Sequence, residues 1–207
     1  VSGVPLIDQV QDLLAGPRPL PIVGAGHPVL RHRAEPYDFS LPAPVFAKLI
    51  DAMRESMLAA PGVGLAAPQI GLGVQVAVLE DRAAVPVEVG RVRQRNPLPF
   101  RVLVNPAYTA VDDEVAAFYE GCLSVPGYQA VVQRARSVRL RAWDEHGIAV
   151  DEMITGWAAR IVAHETDHLA GILYLDKAFT RSLAGTDEYL ARWAGPTPQD
   201  ARVALGF

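Results

Sequence analysis

Apolar residues recur at spacings of three and four along residues 43–59, APVFAKLIDAMRESMLA, where Phe46, Leu49, Ile50, Met53 and Met57 form one stripe. That period predicts a helix with one face toward a core. Pro42 and Pro44 suit its start, where the missing N–H costs nothing. Residues 5–14 carry a shorter amphipathic pattern. Residues 15–44 are rich in Pro and Gly and predict a path over the surface. The stretch PGVGLAAPQIGLG (61–73) holds four glycines and two prolines, which predicts a loop with unusual turns. Downstream the period changes. VQVAVLE (74–80), RVLVNP (101–106) and EVAAFYE (114–120) predict strands, with a polar, Pro-rich connection over 81–99. SVRLRAW (137–143) alternates apolar and polar, then DEHG and IAVDEMI (148–154) complete a β-hairpin with Gly147 in the turn. Residues 156–170 predict a second long helix, with Thr155 as N-cap, Gly171 as terminator, and Trp157, Ile161, His164 and His168 on one stripe. A short helix is expected over 186–194 and a flexible tail over 195–207. Strands do not alternate with helices, so the pattern predicts one α+β domain spanning 1–207, with antiparallel sheets packed around a central helix.

Composition narrows the class. The chain has 207 residues, half of them apolar, and a formal net charge of −4. That charge makes no case for nucleic acid or an anionic membrane as partner. No apolar run approaches the roughly 18–20 residues of a membrane span. The N-terminal segment has acidic residues and no basic run, unlike a secretory signal. There is one cysteine, Cys122, so no internal disulfide can form. A lone cysteine is ordinarily a small buried hydrophobe, and only its neighbours argue otherwise.

Candidate chemistry concentrates in HETDHLAGILY, residues 164–174. On a helix, His164 and His168 stand one above the other and can offer two imidazole nitrogens to one ion. Glu165 is one step round, beside the ion, where a base would take a proton from water. Apolar Ile161, Val162 and Leu169 flank the motif, and buried histidines need partners. Two histidines by chance is the bland alternative, disfavoured by Glu165 standing between them. A catalytic site of this kind needs a third protein ligand and an open position. Tyr174 stands where one protease family has a third histidine, and it cannot serve. Asp176 and Glu188 lie where a carboxylate-completed zinc endopeptidase would carry its ligand, and they stay open. His27, His32 and His146 sit in polar or turn contexts and read as surface residues. Cys122, in EGCLSVPGY (120–128), is the best candidate, since a thiolate is a strong soft ligand.

Taken in order, GVGLAAPQ (62–69), EGCLS (120–124) and HETDH (164–168) match the three signature motifs of peptide deformylases, and the chain resembles that family from about residue 25 to 180. The resemblance implies a hydrolase that removes the formyl group from N-formylmethionine at the start of newly made polypeptides, releasing formate. It implies Cys122, His164 and His168 as ligands to one divalent metal, Fe2+ natively, with Zn2+, Ni2+ or Co2+ able to substitute. It implies Glu165 as general acid/base, and the Gln69 side chain with the Leu123 backbone N–H as donors to the formyl oxygen. It implies that the peptide pairs as an added strand beside Val63, Gly64 and Gly121. Val63, Leu123, Tyr128 and Ile161 are the candidates for the methionine pocket. The implied partners are N-formylmethionyl nascent peptides and, transiently, the ribosome. The implied location is the cytoplasm of a bacterial-type cell, with an organelle left open. Three features depart from the family pattern: Ala163 for a usual Gln, Thr166 for a bulkier apolar residue, and the long 81–99 connection. Residues 181–207 balance Arg181, Arg192 and Arg202 against Asp187, Glu188 and Asp200, so a phosphate-seeking tail is not supported. A non-catalytic descendant would need a broken catalytic set, and here every member is present.

Overall fold

The structure, a computed structural model, describes residues 3–207. Helix α1 (Leu6–Ala15) packs on α2 (Ala43–Ala59), and the predicted stripe of α2 is buried at every position named above. Burying such a side chain contributes roughly 1.5–3 kcal/mol. Between them the chain departs from the expected surface path. Leu20, Leu30, Ala34, Tyr37 and Leu41 are buried. Side-chain hydrogen bonds replace regular pairing there: Leu20 N–H donates to Ser56 Oγ (2.8 Å) and Tyr37 N–H to Asn105 Oδ1 (2.7 Å). Apolar anchors on irregular backbone have no period to read.

The glycine-rich stretch is more ordered than a loop. It forms strand β1 (Gly64–Ala66) and a 3-10 turn (Ala67–Ile70) that closes on Gly71 at φ +88°. Then come β2 (Val76–Asp81), helix α3 (Val87–Arg93) and β3 (Leu98–Ala110). The helix inside the 81–99 connection was not expected. It begins after Pro86, and Val87 is 90% exposed, so no buried apolar stripe announces it. Strand β4 (Val115–Cys122) is followed by β5 (Val125–Ala135), which the pattern also missed. Pro126 and Gly127 interrupt its start, and its centre, Ala130–Val132, is buried without alternation. Strands β6 (Ser137–Trp143) and β7 (Ala149–Thr155) form the expected hairpin, with Gly147 at φ +76° in its turn. Helix α4 (Gly156–Leu169) carries the HETDH motif. Thr155 occupies its N-cap without a side-chain capping bond. Gly171 ends it at φ +75°, where a Cβ would stand 2.7 Å from the Arg31 carbonyl oxygen. Strand β8 (Ala184–Gly185) leads into α5 (Thr186–Glu188), a π turn (Tyr189–Trp193) and α6 (Gln199–Leu205), whose Ala201 is buried.

The strands make two antiparallel sheets, ordered β1-β2-β3-β6-β7 and β4-β5-β8. Helix α4 touches strands of both, which gives the expected α+β architecture with the motif helix at its centre. One apolar cluster lies between α2 and β1–β3, and a second between α4 and the other face of the five-stranded sheet. Strands β1 and β4 each stand at the edge of their sheet. No helix among the described residues is long and apolar enough to cross a membrane.

Candidate metal centre

Helix α4 sets His164 and His168 one turn apart, with ring centroids 5.1 Å from each other. Strand β4 brings Cys122 to them at its last residue, and the Sγ lies 3.2 Å from His168 Nε2. One ligand atom from each of the three falls within 4.8 Å of the others. One thiol and two imidazoles, all part-buried or buried, form a donor set that suits a divalent transition metal with an open position. Burial, helped by the neighbouring positive charge of Arg134, holds His168 well below its ordinary value, leaving the neutral imidazole that a metal requires. The alternative third ligands are elsewhere. Asp176 pairs with Arg31 and accepts the Leu173 N–H (2.8 Å), and exposed Glu188 pairs with Arg192 (2.6 Å). Tyr174 lays its ring beside His164 and donates its hydroxyl to the Tyr128 carbonyl (3.1 Å). His27, His32 and His146 are exposed, as expected.

Behind the ligands lies a buried charged network that sequence reasoning did not assign. His164 Nδ1 meets Glu120 Oε2 at 3.0 Å, which leaves Nε2 for the metal. Glu120 accepts from Arg134 Nε (2.7 Å) and Nη2 (3.0 Å), and from Arg160 Nη1 (2.5 Å). Arg134 continues to Asp167 (2.7 Å), which also accepts from Tyr108 (3.0 Å) and Lys177 (2.7 Å). Burial alone would raise the Glu120 carboxyl, but His164 and Arg134 outweigh it and hold the group far below the usual carboxylate range. The anion is therefore fixed under the ligand. Glu120 stands two residues before Cys122, but the register shifts between Gly121 and Cys122, so alternation alone does not set its face, and Arg134 and Arg160 had no local signal either.

Glu165 is 4% exposed, and burial pushes its carboxyl up to about 7, against the pull of His164 and Arg134. It rests on Gly64, where a Cβ would overlap the carboxyl group. Gln69 is oriented at both ends. Its Oε1 accepts the Ala66 N–H (2.8 Å), and its Nε2 donates to Ser124 Oγ (3.3 Å) and toward Cys122 Sγ (3.6 Å). These groups open onto a cleft of about 780 Å³. Val63, Gly64 and Gln69 line it from β1 and its flanks, Gly121, Cys122, Leu123 and Tyr128 from β4 and β5, and Ile161, His164 and Glu165 from α4. Buried His168 stands behind the lining. Tyr128 is 53% exposed and stands at the rim, whereas Ile161 is buried. Ala163 and Thr166 are on faces away from the cleft lining, and Thr166 Oγ1 is buried without a hydrogen-bond partner.

Comparison with known proteins agrees with this geometry. A family model described as polypeptide deformylase matches residues 19–183. Peptide deformylase 3 of Streptomyces avermitilis is 62% identical over 203 residues, covering 98% of this chain and 91% of its own. Peptide deformylase 1 of Streptomyces coelicolor is 60% identical over 204 residues, covering 99% and 94%. Among solved structures, the Met-Ala-Ser bound class I type b peptide deformylase from Acinetobacter baumannii is similar with a TM-score of 0.69 and 34% identity, over 76% of this chain and 97% of that one.

Proposed function

Since this chain belongs to the polypeptide deformylase family, we propose how its residues divide the work of taking a formyl group from an N-terminal formylmethionine. The protein is a peptide deformylase, and formate and a free amino terminus are its products. Cys122, His164 and His168 hold one divalent ion, Fe2+ natively, in a donor set that also accepts Zn2+, Ni2+ or Co2+. When bound, the ion supplies Lewis acidity, acidifying water and polarising a carbonyl oxygen. Glu165 takes a proton from the attacking water and hands it to the departing amine, and a carboxyl balanced near neutrality suits both transfers. Gln69 Nε2 and the Leu123 N–H donate to the formyl oxygen as charge builds on it. Glu120 keeps the His164 ring oriented.

The peptide enters as an added strand between the free edges of β1 and β4, its backbone beside Val63, Gly64 and Gly121. Methionine packs on Val63, Leu123 and Ile161, with Tyr128 at the rim. The relative from A. baumannii, whose structure is Met-Ala-Ser bound, supports a peptide as the ligand. The observation that carries the reading is the convergence of Gln69, Cys122, Glu165 and His164 from three separate motifs onto one cleft.

The test is formate release from short formyl-Met peptides with metal content measured in parallel. Formyl-Met peptides should be substrates and acetyl-Met peptides poor ones, because the extra methyl group misplaces the carbonyl against Gln69. Glu165→Gln should keep the metal and lose most activity, whereas Cys122→Ala should lose both. Full metal occupancy in Cys122→Ala would refute the ligand assignment, and equal rates on the two acyl groups would refute the substrate assignment.

A further inference from the structure

Strand β4 has different surroundings on its two faces. Phe118 and Glu120 point toward α4, where both meet Arg160: its guanidinium lies 5.2 Å from the Phe118 ring centroid and donates to the Glu120 carboxylate. Tyr119 and Gly121 alternate to the opposite face. There Tyr119 packs in one apolar cluster with Val131, Ala184 and Ala201, and the C-terminal segment covers it. The Tyr119 and Tyr189 rings meet at 5.0 Å between centroids. Thr186 and Tyr189 come from α5 and the π turn, beyond the family-matched residues 19–183, yet both line the substrate cleft. This segment is tied down rather than loose. Arg93, the last residue of α3, donates from Nη2 to the Gly195 carbonyl (2.8 Å) and from Nε to the Pro196 carbonyl (3.1 Å). Beside Tyr119, exposed Gly121 adds no side chain to this face, and a Cβ there would come 3.4 Å from Gln129 Cγ.

The peptide is read above as a strand added at the free edge of β4, and the inference rests on that reading. Such a strand extends the three-stranded sheet. One of its faces then looks toward α4 and the other toward Thr186 and Tyr189. Methionine packs on Ile161, a residue of α4, so the first side chain is on the α4 face. Successive side chains of a strand point to opposite faces. The second side chain therefore turns away from α4, whichever residue of β4 it stands across. On that face it meets the space beside Gly121 and the Tyr119–Tyr189 ring pair, with Gln129 and Thr186 at the margins. None of these four side chains is charged, and two are aromatic rings. We infer that Tyr189, with Tyr119 and Thr186, forms a subsite for a large apolar or aromatic side chain at the second residue of the formyl peptide.

The experiment measures formate release by the metal-loaded enzyme from formyl-Met-Xaa-Ser amides and from formyl-Met-Ala-Xaa amides, with Phe or Ala at Xaa. At the second residue the expected Phe-to-Ala ratio of kcat/KM is about tenfold, the size of one aromatic contact added to modest burial. The difference should reside in KM and be insensitive to salt, since no charge is involved. In Tyr189→Ala the ratio should fall toward one, and Tyr189→Phe should retain it. At the third residue the side chain turns back toward α4, so Tyr189→Ala should leave that Phe-to-Ala ratio as it is in the parent. Because each ratio is taken within one enzyme form, loss of folded protein cancels. Turnover of formyl-Met-Ala-Ser amide overturns the subsite and leaves the deformylase reading intact if the second-residue ratio is near one. The same holds if that ratio survives Tyr189→Ala, or if the third-residue ratio falls as far in that variant. No turnover of any formyl peptide overturns both.

Discussion

Gly64→Ala tests the link between a local feature of β1 and the chemistry on α4. A Cβ built at Gly64 would lie 2.7 Å from Glu165 Cγ and 2.5 Å from its Cδ, and closer still to Oε1. Ordinary carbon contacts are about 3.5–4.0 Å, so the carboxyl group must retreat by roughly 1 Å. Glu165 is 4% exposed and lines the cleft, so its carboxyl retreats either against packed neighbours or into the cleft, and in both cases leaves its acting position. Overpacking of this kind costs about 1–3 kcal/mol of stability. The larger effect is on the reaction, since a 1 Å misplacement of an acting group costs on the order of a hundredfold. The ligands Cys122, His164 and His168 are not among the three atoms nearest to that Cβ, so the metal should stay. The assay is kcat for formate release at saturating formyl-Met peptide, with metal content and a denaturant midpoint on the same preparation. The expected result is full metal occupancy, modest destabilisation, and kcat reduced about a hundredfold. An alanine variant with kcat within threefold of the parent would show that the position of the Glu165 carboxyl is not set by Gly64, and the mechanism assigned to it would lose its geometric basis.

Glu120→Gln removes the carboxylate that meets His164 Nδ1 and leaves Arg134 and Arg160 buried with one less charge to match, so it should destabilise by about 3–5 kcal/mol and weaken metal affinity about 10–100-fold, read by denaturant titration and competition with a chelator. Gly171→Ala forces a left-handed residue against the Arg31 carbonyl and should cost about 2 kcal/mol or more of stability while the folded fraction keeps its metal. Iron-loaded protein should be the most active form without air and should decay in air, with oxidation of the iron or of Cys122, whereas nickel- and cobalt-loaded forms persist. Time courses of formate release after air exposure, with mass spectrometry on the Cys122 peptide, check this, and equal survival of iron and nickel forms would count against it.

Much of the centre was legible because it depends on short-range geometry. The helical period places His164 and His168 on one face with Glu165 beside them, and nothing distant can alter that once α4 forms. The stripe of α2 and the β6–β7 hairpin were readable for the same reason: each carries its own period or its own turn residue. Strand β5 and helix α3 were not, because a buried strand does not alternate and a helix with an exposed first turn shows no stripe. What only the tertiary structure decided are meetings between residues far apart in the chain. Arg134 reaches both Glu120 and Asp167 because β5 pairs with β4 while α4 crosses behind them. Gly64 is glycine for Glu165's sake, a hundred positions on, because the edge of one sheet lies against the central helix. Arg93 reaches the Gly195 carbonyl only because the connection and the C-terminal segment fold to the same end of the cleft. Such contacts are set by sheet order and packing, which no local period encodes.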